Sequence, residues 1–155
     1  MAGYSGTPLV NKIGIKPGHR VVLRNDPPSF LLDLGRLPDG VTTTDKINGR
    51  TDVAVYFTDK KAVLERDFRT LARALVDNGM LWIAWPKKAS GKPTDLNEDV
   101  VRKIGLACGL VDVKVCAIDD TWSGLKFVIR LEDRAPRSKP TKPTSRAAAA
   151  SRNRN

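Results

Sequence analysis

The chain offers few of the side chains that ordinarily carry chemistry. His19 is its only histidine, and Cys108 and Cys116 are its only cysteines. A zinc site or a Ser-His-Asp triad is therefore close to excluded unless it hangs on His19, and no metal is indicated. Asp26, Asp119 and Asp120 could be imagined as paired carboxylates. Adjacent strand residues point to opposite faces, however, and nothing in the sequence fixes a carboxylate separation. What remains is cationic: Lys60-Lys61 and Lys87-Lys88, with Lys92, follow apolar runs, with Asp59 and Ser90 next to them in the chain and Asn25 and Ser123 in other loops. These lysines read first as solvated loop ends. They read second as an anion site, where helix N–H groups and ammonium charges face one ligand. Trp122, between Thr121 and Ser123, reads first as a lid on the core and second as a stacking or anchoring side chain. Trp82 reads as core, Trp85 is undecided, and both cysteines read as small core hydrophobes.

The charge is uneven. The chain has 155 residues with 27 Lys+Arg against 17 Asp+Glu, a net +10. Residues 133–155 hold seven of those cations against Asp133 alone, or +6. That stretch has no Val, Ile, Leu, Met or aromatic residue but has Pro136, Pro140 and Pro143. It cannot bury enough apolar area to offset its ordering entropy, so a disordered basic tail is expected after a domain spanning 1–132. Such a tail reads first as a solubilising extension; non-specific nucleic-acid association through Arg134 to Asn155, by counterion release, is the second reading. The longest apolar run, Gly79 to Trp85, is too short for the roughly 20 residues of a membrane span. Met1 to Gly6 shows neither a basic start nor an apolar core, so a cytoplasmic protein is expected. Two cysteines without framework spacing agree with a reducing compartment.

The elements that must position these side chains follow from pattern. Thr7-Pro8 opens a short helix that Gly14 closes. Arg20 to Arg24 reads as a buried strand, Ser29 to Leu34 as a short helix ended by Gly35, and Val41 to Thr44 as a weak edge strand. Asp52 to Thr58 is apolar on both faces, as the interior of a parallel sheet requires. Leu64, Phe68, Leu71 and Leu75 form one helical stripe, capped by Asp59 and stopped by Asn78-Gly79. Met80 to Trp85 is another two-sided strand. Asp95 and Glu98 have capping-box spacing before a helix whose apolar face is Leu96, Val100, Ile104 and Ala107. Two alternating runs, Val111 to Ala117 and Leu125 to Leu131, read as a closing hairpin around Asp119 to Gly124. The sum is an α/β, Rossmann-like three-layer domain, mostly parallel, with a C-terminal antiparallel hairpin.

Gly14 to Leu23, with its Ile15-Lys16-Pro17-Gly18-His19-Arg20 core, resembles the lead-in to the first strand of class I S-adenosylmethionine methyltransferases. The element order from Asp52 to Leu131 is similar to their last four strands. The resemblance implies a Rossmann-like sheet. The turn after the first strand departs from theirs: Asn25-Asp26-Pro27-Pro28-Ser29 contains no glycine, and its prolines remove two N–H donors. Tyr4-Ser5-Gly6-Thr7-Pro8-Leu9, Trp85-Pro86-Lys87-Lys88-Ala89-Ser90 and Asp112 to Asp119 resemble a family of small bacterial proteins known as a domain of unknown function. So does Thr121-Trp122-Ser123-Gly124-Leu125-Lys126-Phe127. That second resemblance implies membership and no chemistry.

In an open parallel sheet, ligands bind outside the carboxyl ends of the strands. Four loops should gather there, carrying Asn25 and Asp26; Asp59 and Lys60; Trp85, Lys87, Lys88 and Ser90; and Asp119, Trp122 and Ser123. The leading functional reading is a non-catalytic module for an anionic ligand or a protein partner, with no cofactor named by the sequence. A reduced S-adenosylmethionine-dependent methyltransferase-like enzyme is the alternative, and nucleic-acid association through the tail a second alternative.

Overall fold

The computed structural model describes residues 8–47 and 49–134. Apolar residues on both faces of the central strands demand cover on both sides, and the fold supplies it as three layers. In chain order the elements are α1 (Leu9–Ile13), β1 (Arg20–Arg24), α2 (Pro28–Leu34), β2 (Thr42–Thr44), β3 (Thr51–Phe57), α3 (Lys61–Ala74), β4 (Leu75–Pro86), α4 (Glu98–Ala107), β5 (Leu110–Ala117) and β6 (Trp122–Ile129). Short 3₁₀ turns occupy Lys88–Ser90 and Leu131–Asp133.

The six strands form one sheet in the order β2-β1-β3-β4-β6-β5. Neighbours from β2 to β4 pair parallel, whereas β6 is antiparallel to both β4 and β5. β5 therefore runs with the parallel set, and the β5–β6 turn lies at the same border as the ends of β1, β3 and β4. The expected mixed α/β sheet with its closing hairpin is what the chain forms. A single three-residue strand, β2, stands between α2 and β3 where the sequence leaves no room for more.

Each face of the sheet has its own core. Val21, Val53, Val55, Phe57, Trp82 and Ala84 point to the side covered by Ile13 of α1 and by Phe30 and Leu34 of α2. Val22, Ala54, Tyr56, Leu81, Ile83, Leu125 and Phe127 point to the side covered by Leu64, Phe68 and Leu71 of α3 and by Val101 and Ile104 of α4. Trp82 is fully buried, and its indole Nε1 donates to the carbonyl of Ile13 at 2.9 Å, tying α1 to the sheet. Tyr56 is buried as well, and its hydroxyl donates to Asp67 of α3 at 2.5 Å. Desolvation, then the bond to Asp67, raises the Tyr56 pKa far above the usual tyrosine value.

Several boundaries differ from the pattern. α3 ends at Ala74, four residues before Asn78-Gly79, and Leu75 pairs with Thr51 as the first residue of β4. The register then slips, so that Val53 faces Met80 and residues 76–79 bulge out. Gly79 is needed in the bulge: a Cβ there would lie 3.0 Å from the carbonyl oxygens of Thr51 and Val76. The helical stripe thus breaks off after Leu71, because strand pairing to β3 captures Leu75. At the chain start, Pro8 stands at the N-cap of α1 rather than inside it, and Thr7 lies outside the described residues. Val113 falls at a register shift of β5 and is exposed, as is Val115, so that strand's alternation does not give a clean buried face. Leu131 leaves β6 and is exposed in the final turn. Cys108 and Cys116 are half-buried at the margins of the two cores rather than inside them. No helix among the described residues is long and apolar enough to cross a membrane. The expected tail falls almost wholly on residues 135–155, outside the described part.

The buried face of α4 is rotated by about one residue from the pattern: Val101, Ile104 and Gly105 are buried, Val100 only partly, and Ala107 is exposed. Gly105 sets this rotation. A Cβ there would fall 2.0 Å from the Phe127 ring, so the helix can approach β6 only without a side chain at 105. Gly105→Ala should lower stability by about 1–3 kcal/mol through overpacking, seen as a lower urea midpoint. Leu106→Ala, at an exposed position of the same helix, should change it by under roughly 0.5 kcal/mol.

Candidate functional site

Hydrogen bonds weld the four predicted loops along the carboxyl border. Thr58 N donates to Ala84 O at 3.0 Å, joining the ends of β3 and β4. Pro86 pairs with Trp122 and Trp85 with Ser123, and Lys87 N donates to Thr121 O at 2.7 Å. Asn25, in a left-handed conformation with φ 60°, donates from Nδ2 to the carbonyl of Phe57 at 3.1 Å. That bond bridges β1 and β3, where the chain order of the sheet reverses.

The reversal point is filled by the protein's own side chains. Phe30 of α2 packs edge-on against Phe57 with ring centroids 5.0 Å apart, and Trp122 does the same from the other side at 5.1 Å. Trp122 is the first residue of β6, half-buried, and acts as the lid that the sequence favoured. Pro27 caps α2 and Pro28 begins it, so the prolines after β1 serve to start a helix. Asp26 is half-buried beside them.

On the opposite face of the sheet lies a cleft of about 740 Å³, within the range of small-molecule sites. Trp85, 5% exposed, and Leu96, 4% exposed, give it an apolar floor. Lys87, Lys88 and Lys92 stand around it, with Ser123 on the β6 side and Asn97 and Glu98 at the start of α4. Ser90 shapes the loop: its hydroxyl donates to Lys87 O at 2.7 Å and accepts from Lys92 N at 3.2 Å.

Next to the cleft, a smaller hollow is lined by Asp59, Lys60, Thr94 and Asp95. Here the capping assignments change. Lys60 occupies the N-cap of α3 without a side-chain cap, so Asp59 does not serve. Asp95 accepts from Lys61 N at 2.7 Å instead, placing a carboxylate at the α3 N-terminus from another loop. The anion that two lysines in a first turn would attract is thus already present as a side chain. With Asp95 so engaged, Asn97 caps α4, accepting from Val100 N at 2.9 Å, and Glu98 is the first helical residue rather than the third. Thr94 completes the joint, its hydroxyl donating to Asp59 O at 2.7 Å.

Of the predicted residues, Trp85, Lys87, Lys88 and Ser123 therefore share one cleft; Asp59 and Lys60 border the adjoining hollow; Asn25 and Trp122 close the reversal point on the other face. Asp119 is structural: its Oδ1 accepts from the backbone N–H groups of Thr121 and Trp122, both at 2.8 Å. The adjacent Asp120 is exposed, and no paired-carboxylate geometry follows. His19 lies at the amino end of β1, its Nδ1 accepting from Lys16 N at 3.1 Å, away from the cleft. The pattern missed Thr94, Leu96 and Asn97 as lining. The available signal is Asn97, a residue type that favours the N-cap, two positions after Asp95.

Comparison with solved structures places the fold. The chain superposes on an S-adenosylmethionine-dependent methyltransferase from Aquifex aeolicus with a TM-score of 0.58 at 14% identity, covering 79% of this chain and 88% of that one. A possible exported protein from Bordetella parapertussis gives 0.57 at 10% identity, covering 78% of this chain and 65% of its own length. Magnesium protoporphyrin IX methyltransferase from Synechocystis PCC 6803, with bound S-adenosylhomocysteine, gives 0.50 at 12% identity over 79% and 78%. The core is that of the methyltransferase-like Rossmann fold. No family model and no curated protein matches the sequence, so the likeness to the small bacterial family rests on its sequence strings alone.

The wall of the cleft formed by α4 is held by Arg102. Its guanidinium meets Asp112 of β5 at 2.9 Å and Asp99 at 3.1 Å, and pairs with Glu98. The bond from Arg102 holds the Asp112 carboxyl below the usual carboxylate range. A depressed folded-state value stabilises above the unfolded pKa of about 3.9 and is lost as pH falls through the lower folded value. Acidification below about pH 4 should therefore weaken the fold. Asp112→Asn should flatten this part of the profile, measured as urea midpoint against pH; an unchanged slope would remove the pair from the account.

Proposed function

We propose that this chain is a ligand-binding protein of the methyltransferase-like fold, whose ligand is an organic anion held in the Trp85–Ser123 cleft. One observation carries the reading: Asn25, Phe30, Phe57 and Trp122 close the reversal point, while the adjoining face keeps an open cleft with an apolar floor and three lysines. Trp85 and Leu96 suit the apolar body of a ligand, and Lys87, Lys88 and Lys92 suit its carboxylate or phosphate. Asn25, Asp26, Asp59, Lys60, Asp119 and Trp122 then act by shaping the border, and Ser90 by fixing the lysine loop. No residue is assigned a catalytic role, and the protein works by binding.

A second reading, an S-adenosylmethionine-dependent methyltransferase of reduced size, is supported by the fold shared with such enzymes. It requires Asn25 and Trp122 to move aside for the cofactor. Calorimetry with S-adenosylmethionine and S-adenosylhomocysteine at millimolar concentration separates the two readings, and no heat is expected. A thermal-shift panel of organic acids, each with an apolar body and a carboxylate, should contain hits. A ligand at ten times its Kd stabilises by about 1.4 kcal/mol, a rise of a few degrees for a domain of this size. Lys87→Gln with Lys88→Gln should abolish that rise. Saturable heat with the methyl donor, lost in Asn25→Ala, would overturn the binding-only reading.

A further inference from the structure

The β5–β6 ribbon carries like charges face to face. Lys126 of β6 lies opposite Trp82 of β4 on one side and opposite Lys114 of β5 on the other. Directly opposed residues share a face, and Trp82 belongs to the core beneath α1. Both lysines therefore lie on the α1 side of the sheet, away from the Trp85 cleft, which opens on the α3–α4 side. Cys116 packs at the margin of the same core, and Lys12 of α1 and Lys114 both act electrostatically on its thiol. The ammonium groups of Lys114 and Lys126, from β5 and β6, thus stand side by side on one patch.

This arrangement is unfavourable by itself. Like charges directly opposed across an antiparallel pair destabilise it. Lys126 is half-buried, which adds a desolvation cost. Burial, and then the neighbouring Lys114, lower the Lys126 pKa below the usual lysine value. Among the described residues, neither Lys114 nor Lys126 has a carboxylate in salt-bridge contact. A multivalent oxyanion would reverse the sign of each of these contributions at once.

We propose that Lys114 and Lys126 form a second binding site, on the α1 side of the β5–β6 ribbon, for phosphate groups. The source is a free oligophosphate or a nucleic-acid backbone, since paired lysines recognise the same group in both. Beyond the end of β6, Arg134 donates from Nε to Ile129 O at 2.9 Å, leaving one more cation close to the ribbon.

The test uses the full chain at low salt. Lysines are acetylated with a soluble active ester and located by mass spectrometry, with and without millimolar tripolyphosphate or a short DNA duplex. Labelling of Lys114 and Lys126 is expected to fall several-fold. The melting temperature should rise by several degrees with the anion, and should do so equally in a Lys87→Gln, Lys88→Gln, Lys92→Gln variant of the cleft. Lys114→Gln should raise the melting temperature without anion, by removing repulsion, and should lose the anion-dependent rise. Protection by tripolyphosphate assigns the site to free phosphates, and protection by the duplex alone assigns it to a nucleic-acid backbone. Protection by neither, or an undiminished thermal response in Lys114→Gln, overturns the proposal.

Discussion

Two-sided burial of β3 and β4 is the constraint from which the rest of the molecule follows. Val53, Val55 and Phe57 alternate with Ala54 and Tyr56 so that neither face of β3 can meet water, and β4 repeats the demand with Trp82 and Ala84 against Leu81, Ile83 and Trp85. Helices must then lie on both sides, and parallel neighbours joined by crossovers are the arrangement that supplies them. Codirectional strands in turn collect their outgoing loops at one border. The antiparallel β6 adds the last loop to that border, because β5 still runs with the set.

What the border does with this convergence separates the chain from a generic Rossmann-like domain. At the reversal of strand order a ligand usually finds backbone it can approach. Here Asn25 spans the gap to Phe57, and three aromatic rings stack edge to face behind it. The open space lies on the other face, over Trp85 and Leu96, under a loop rich in lysine. The same strand pair, β4 with β6, therefore supports a closed surface on one side and a receptive one on the other.

Much of this was legible in the sequence, because it rested on periodicity. The two-sided strands, the α3 stripe up to Leu71 and the closing hairpin are all local patterns, and their order determines where the loops gather. Capping was not legible, since the choice among Asp59, Asp95 and Asn97 depends on tertiary contact: Asp95 serves a helix more than thirty residues before it. The end of α3 failed for a related reason. Pairing of Leu75 with Thr51 outweighs the local stop at Asn78-Gly79. The rotation of α4 rests on Gly105 meeting Phe127, which no helical wheel reveals. For the site, Lys87, Lys88, Trp85 and Ser123 were found as loop neighbours, whereas the split of the border into two faces needed coordinates.

The indole N–H signals of the three tryptophans in an ¹H–¹⁵N spectrum test the central claim most directly, because each reports a different place: Trp82 in the core under α1, Trp122 at the closed reversal point, Trp85 on the cleft floor. On titration with an anionic ligand from the thermal-shift panel, the Trp85 signal should move while those of Trp122 and Trp82 stay in place. Movement of Trp122 with Trp85 unchanged would contradict the account, because it would put the ligand at the reversal point.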